Sequence, residues 1–222
     1  MLLHINKHLI NTICMVCLCL SCKYIESKKP AESSQDTIGK VSDSITNRPT
    51  INEVNIPIEE QVLPFVFKGY AVLKLSVGDV NLDEKEDCIL VLKRIGEDTE
   101  STEIDSLRRR PLLILIRDKN NKLVLARRND NTVLCYECGG VMGDPFVDVE
   151  IKDGYFQVFH YGGSAWRWTR DITFKYETKD QEWYLHQDES ESFHVAEEQK
   201  VERTISTVKD FGIIKFENFN IE

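Results

Sequence analysis

Apolar and polar residues alternate in short runs along most of this chain, and clusters of turn-forming residues separate the runs. Residues 70–77, 88–93 and 111–117 (PLLILIR) read as strands, and the DKNN turn at 118–121 leads into a further strand over 122–127. Residues 146–151 and 155–161 flank Lys152-Asp153-Gly154, where an Asp-Gly pair supplies the positive φ that a tight hairpin needs. The clearest strand is 165–177. Trp166, Trp168, Ile172, Phe174 and Tyr176 recur there at period two, opposite Arg167, Thr169, Asp171, Thr173, Lys175 and Glu177. Two adjacent tryptophans at this spacing favour a sheet core over a carbohydrate platform with Tyr161. Arg170 interrupts the apolar face, so it must stack on Trp168 or pair with a buried acid. Residues 178–181 turn the chain and 182–186 return. The acidic stretch 188–202 reads as a loop, and 211–219 as a closing strand. No long run keeps a 3.6-residue period, which excludes crossover helices and a parallel sheet. The pattern predicts an all-β fold: about nine strands in an antiparallel meander, forming a sandwich or a partial propeller.

Only the N-terminus departs from this pattern. Lys7 precedes a mostly apolar run over residues 9–20, the length of a signal-peptide core and too short for a standard membrane span. Cys22 follows Leu20-Ser21, and this small residue before a cysteine resembles the bacterial lipoprotein signal, although Cys19 stands where a leucine is usual. The resemblance implies cleavage before Cys22, lipidation of its thiol, insertion into a lipid bilayer, and residence in the bacterial cell envelope. Residues 22–55 are rich in Ser, Thr, Lys and Glu and poor in large apolar side chains, the composition of a flexible tether. The expected organisation is a signal peptide over 1–21, lipidated Cys22 with a linker to 55, and one β-rich domain over 56–222.

Charge narrows the partners. Among 222 residues, 28 Lys and Arg face 37 Asp and Glu, a net charge of −9. Removing residues 1–21 takes away one Lys and gives −10. Such a surface disfavours nucleic acid, whose phosphates require a basic face.

One motif carries recognisable chemistry. In GDVNLDEKED, Asp79, Asn81, Asp83 and Asp87 occupy positions 1, 3, 5 and 9 of a loop, and the Lys85 carbonyl stands at position 7. Hard oxygen ligands at alternating positions wrap one Ca²⁺. Leu90 at position 12 excludes a helix–loop–helix site, which needs a bidentate Glu there. The motif resembles the aspartate loop of FG-GAP and VCBS-like repeats over residues 73–92, with Glu84 in place of the usual glycine. The competing reading is an acidic hairpin whose Asp and Asn side chains cap backbone groups. Together with CGGVMGDPF, RRRPLLIL, HYGGSAWRWTR and EWYL, the motif also resembles a group of uncharacterised bacterial lipoproteins from residue 62 to the end. That likeness implies a β-rich envelope domain and supplies no activity.

Other signals are weaker. Cys135 and Cys138 form a CxxC without a second ligand pair, so a local disulfide or two packed thiols is favoured over zinc with Cys88 and His160, or over a redox site. Cys88 lies in an apolar strand and reads as a core residue. His160 and Ser164 lack an identifiable third triad member. Arg108, Arg109 and Arg110 read as a solvated turn. No constellation identifies an enzyme. The function expected is a calcium-ordered binding module facing an envelope protein or glycan. The alternative is an acidic inhibitor or immunity-type protein against a basic toxin or hydrolase.

Overall fold

The computed structural model describes residues 57–99, 110–197 and 199–221, so the expected signal peptide over 1–21, Cys22, the expected linker to 55, Arg108 and Arg109 lie outside the described residues. Among the described residues, nine strands form two antiparallel sheets, each a simple meander. Sheet A holds β1 (Tyr70–Gly78), β2 (Asp87–Arg94), β3 (Arg110–Arg117) and β4 (Leu123–Val133). Sheet B holds β5 (Phe146–Lys152), β6 (Tyr155–Gly163), β7 (Trp166–Glu177), β8 (Glu182–His194) and β9 (Glu202–Thr207). The all-β expectation resolves to a sandwich.

The two sheets bury different patterns. Strands β6 and β7 alternate, with Phe156, Val158, Ile172 and Phe174 turned to the core. Strands β2 and β3 are buried at successive positions, which explains their unbroken apolar runs. Ile89, Val91, Leu112 and Ile114 pack against sheet B, while Cys88, Leu90, Leu92, Leu113 and Leu115 form a second cluster on the opposite face. A segment containing α1 (Ile58–Gln61) covers that face with Ile58, Val62, Phe65, Val66 and Phe67. Cys88 is therefore a core residue, and burial pushes its thiol up to about 12.

Several polar residues correct the sequence reading. Arg110 is not a solvated turn residue: it opens β3 and is 0 % exposed. Its guanidinium donates to Glu97 from Nε (3.0 Å) and Nη2, to both Asp144 carboxylate oxygens (2.7 and 2.8 Å), and to the Leu134 carbonyl (3.2 Å). Two carboxylates and a carbonyl thus compensate one buried cation. The stretch 188–202 is not one loop, because β8 runs on to His194 and β9 starts at Glu202. Its acids are held in pairs: Asp188 receives Arg170 at 3.0 and 2.8 Å, and Arg203 reaches Glu189 and Glu191. Strand β4 continues past residue 127 because polar side chains there find partners too. Arg127 binds Glu182, and Asn129 donates to the Phe216 and Phe219 carbonyls.

The C-terminal stretch is likewise not a closing strand. Thr207 and Asp210 form a capping box for the turn α2 (Val208–Phe211), and a 3-10 turn follows at Phe216–Asn218. Phe216, Phe219 and Ile221 then seal the core between the sheets. Trp166 is not core either. It is 59 % exposed, its ring edge-on to His194 at 5.2 Å.

Replacing Arg110 with Met is expected to lower unfolding free energy by about 3–5 kcal/mol, because Glu97 loses its buried counter-charge. The triple variant Arg110→Met, Glu97→Gln, Asp144→Asn should recover part of that loss. Chemical denaturation of the three proteins measures both effects.

Candidate metal centre

The acidic loop joins β1 to β2 and is pinned from below by sheet B. Val80 is fully buried, and its carbonyl accepts the Trp183 indole N–H at 2.9 Å. The Gly154 amide of the β5–β6 turn donates to the Asp79 carbonyl at 3.3 Å. Gly154 sits at φ +76°, and a Cβ there would come within 2.8 Å of the Leu82 side chain. Leu82 and Glu84 both hold positive φ (62° and 64°), so two residues that disfavour this region accept it to curl the loop.

That curl turns the acidic side chains inward. One carboxylate oxygen each from Asp79, Asp83 and Asp87 lies within 4.8 Å of the others, a separation compatible with a shared metal ion. Asp79 accepts the amides of Asn81 (3.3 Å), Asp83 (3.1 Å) and Glu84 (2.8 Å). Asn81 Oδ1 accepts the Asp83 amide, and Asp83 Oδ1 accepts the Lys85 amide, both at 3.1 Å. The Lys85 ammonium sits on Asp83 Oδ2 at 3.1 Å. The capping geometry and the clustering of carboxylates therefore coexist.

Asp87 differs from its neighbours. It is 0 % exposed. Its Oδ1 accepts the Arg117 amide at 2.8 Å, but its buried Oδ2 has no hydrogen-bond donor. Burial pushes its carboxyl up to about 6; the Arg117 and Val80 amides oppose this, and the Asp83 and Asp79 charges add to it. The Arg117 side chain ties the site to the covering segment, donating to the Glu86 carbonyl at 2.8 Å and to Gln61 Oε1 at 3.0 Å. Spacing alone pointed to Asp87 as a ligand; its burial depends on strand pairing and could not be read from the sequence.

The remaining candidates fall elsewhere. Cys135 and Cys138 are joined in a disulfide, and Cys88 lies on the far face of sheet A, so these sulfurs do not assemble with His160 around a metal. His160 is 1 % exposed and committed to the backbone. Its Nε2 accepts the Leu134 amide at 3.3 Å, which leaves the proton on Nδ1 to donate to the Arg170 carbonyl at 3.3 Å. Neither ring nitrogen is left to activate Ser164.

Comparison with protein-family models, curated proteins and solved structures finds no match to this chain.

Burial lowers the His160 pKa to about 4; the Arg170 and Arg110 charges act in the same direction, while the Arg170 carbonyl and Asp144 oppose it. Between pH 6.5 and 4 the unfolded chain binds a proton here that the folded chain does not, so this group's contribution falls as pH drops. The stability gap between the native protein and His160→Asn should therefore narrow by on the order of 2–3 kcal/mol between pH 7 and about pH 4.5. Denaturation at the two pH values checks it, and subtracting the variant removes the opposite trend that Asp87 contributes.

Proposed function

We propose that this protein is a calcium-ordered binding module held at the bacterial cell envelope by a lipid on Cys22. The observation that carries the metal reading is Asp87 Oδ2, a buried carboxylate oxygen without a donor beside two further carboxylates. An unsatisfied buried charged group costs several kcal/mol, and a hard cation relieves that cost together with the repulsion among Asp79, Asp83 and Asp87. Asn81 and the Lys85 carbonyl extend the oxygen set. Lys85 itself is exposed, so its ammonium leaves Asp83 at little cost.

Calcium suits this set better than magnesium. It accepts six to eight oxygens in flexible geometry, whereas magnesium demands a tight octahedron and gives up its waters reluctantly. The metal's role in this reading is structural: it fixes a strained loop on the sandwich. The anchor rests on Lys7, the apolar run that follows it, and Cys22 after Leu20-Ser21.

In a thermal melt of the full chain in detergent, calcium at about a hundredfold its Kd adds about 2.7 kcal/mol of stability. That corresponds to a rise of about 5–10 °C in Tm for a domain of this size. Magnesium at the same concentration should give a much smaller shift. The Asp79→Asn, Asp83→Asn double variant should melt near the native protein without calcium and lose the calcium shift. Equal shifts with both ions, or none at millimolar calcium, would rule the calcium reading out.

A further inference from the structure

The acidic loop forms one end wall of a groove of about 570 Å³, large enough for a mono- or disaccharide. Asn81 and Asp83 belong to both the loop and the groove, and the β7–β8 turn lines it with Thr178, Asp180 and Gln181. We infer that this groove takes a neutral sugar unit of a glycan, whose hydroxyl oxygens complete the coordination of the loop metal. The inference rests on the calcium reading above and names the ligand of that same site.

The polar groups of the groove are those that recognise hydroxyls. The residues Tyr176, Thr178, Gln181 and Asn81 all line it, and among the described residues the Tyr176 hydroxyl, the Thr178 hydroxyl, the Gln181 amide and Asn81 Nδ2 have no hydrogen-bond partner. Each is uncharged and suited to a sugar hydroxyl. The Tyr176 phenol stays protonated, its pKa raised by partial burial and then by the Asp83 charge.

Charge decides against an acidic ligand. Among the described residues, the one cation in the lining is Arg127, and it is already committed. Its Nε and Nη2 grip Glu182 at 2.7 and 3.1 Å, and Nη1 donates to the Ala126 carbonyl at 2.6 Å. Three loop carboxylates outweigh a divalent ion by one charge, and Asp180 adds another on the rim. An anion entering the groove meets net negative potential with no free guanidinium to receive it. A cation would compete with the metal for the same carboxylates. A neutral polyol avoids both penalties, and its hydroxyls are the hard oxygen donors calcium accepts.

The apolar part of the groove fits the same ligand. Val124 and Leu125 are exposed large aliphatic residues on β4, and both line it beside Ile116 and Tyr176. They offer a dry surface to the C–H face of a pyranose.

The test is a glycan array carrying neutral and uronic-acid oligosaccharides, probed with the full-length chain in detergent. Retention on neutral glycans is expected with millimolar calcium and is lost with a calcium chelator. The Tyr176→Phe, Gln181→Ala double variant should bind about tenfold more weakly, as loss of two hydroxyl-directed hydrogen bonds requires, while keeping its calcium-dependent rise in Tm. No neutral glycan retained by a protein that still shows that rise overturns the inference and leaves the calcium reading standing. So does preference for uronates, or binding indifferent to the chelator. Absence of the rise itself removes the calcium reading, and this inference with it.

Discussion

The constraint on which the architecture depends is that β2 and β3 are apolar at successive positions, so the centre of sheet A has no face fit for water. One face is covered by sheet B. The other requires a second cover, and the segment from Ile58 to Phe67 supplies it with five apolar side chains packed on Cys88, Leu90, Leu92, Leu113 and Leu115. Sheet B carries no such demand, since β6 and β7 alternate buried core positions with partly exposed ones. The result is three layers on one side of the molecule and a wet sheet on the other.

This layering places the acidic loop. The loop leaves β1 at the border between the sheets, where Ser76 bonds the Val149 carbonyl and Lys74 meets Asp148 at 2.6 Å. Val80 then plugs the core, and Trp183 holds its carbonyl. Asp87 is the first of six successive buried positions in β2. A carboxylate set there cannot turn to solvent, unlike Asp83 in the exposed curl between Leu82 and Glu84. The loop thus has one fixed, poorly solvated ligand and several adjustable ones, an arrangement in which the buried group sets where an ion sits and the flexible groups close around it.

The sequence made the strands of local character legible. Alternation in β7, the Asp-Gly turn before β6 and the unbroken runs of β2 and β3 each reflect burial that a strand imposes on its own residues. The 1, 3, 5, 9 spacing of acidic loop residues was legible for the same reason. What stayed hidden depends on partners remote in the chain. Arg110 reads as solvent-facing until Glu97 and Asp144 close around it. Residues Asp188 to Glu191 read as a loop because their charges are satisfied across strands by Arg170 and Arg203 rather than by an apolar period. Phe216 and Phe219 suggest a strand by composition, yet Asn129 draws their carbonyls into a turn. The groove could not be read at all, because β4 and the β7–β8 turn meet only in the folded protein.

The Arg110 cluster has an evolutionary consequence. Its three charged members come from three separate stretches, at Glu97, Arg110 and Asp144. Loss of Arg110 alone leaves two carboxylates without the cation they share, whereas exchange of the whole set for apolar groups of similar volume is close to neutral. Drift at Arg110 is therefore blocked unless the acids change with it. Homologous chains that keep Glu97 and Asp144 should keep Arg110 as well, so that this trio would mark lines of descent even where the surface has diverged beyond recognition.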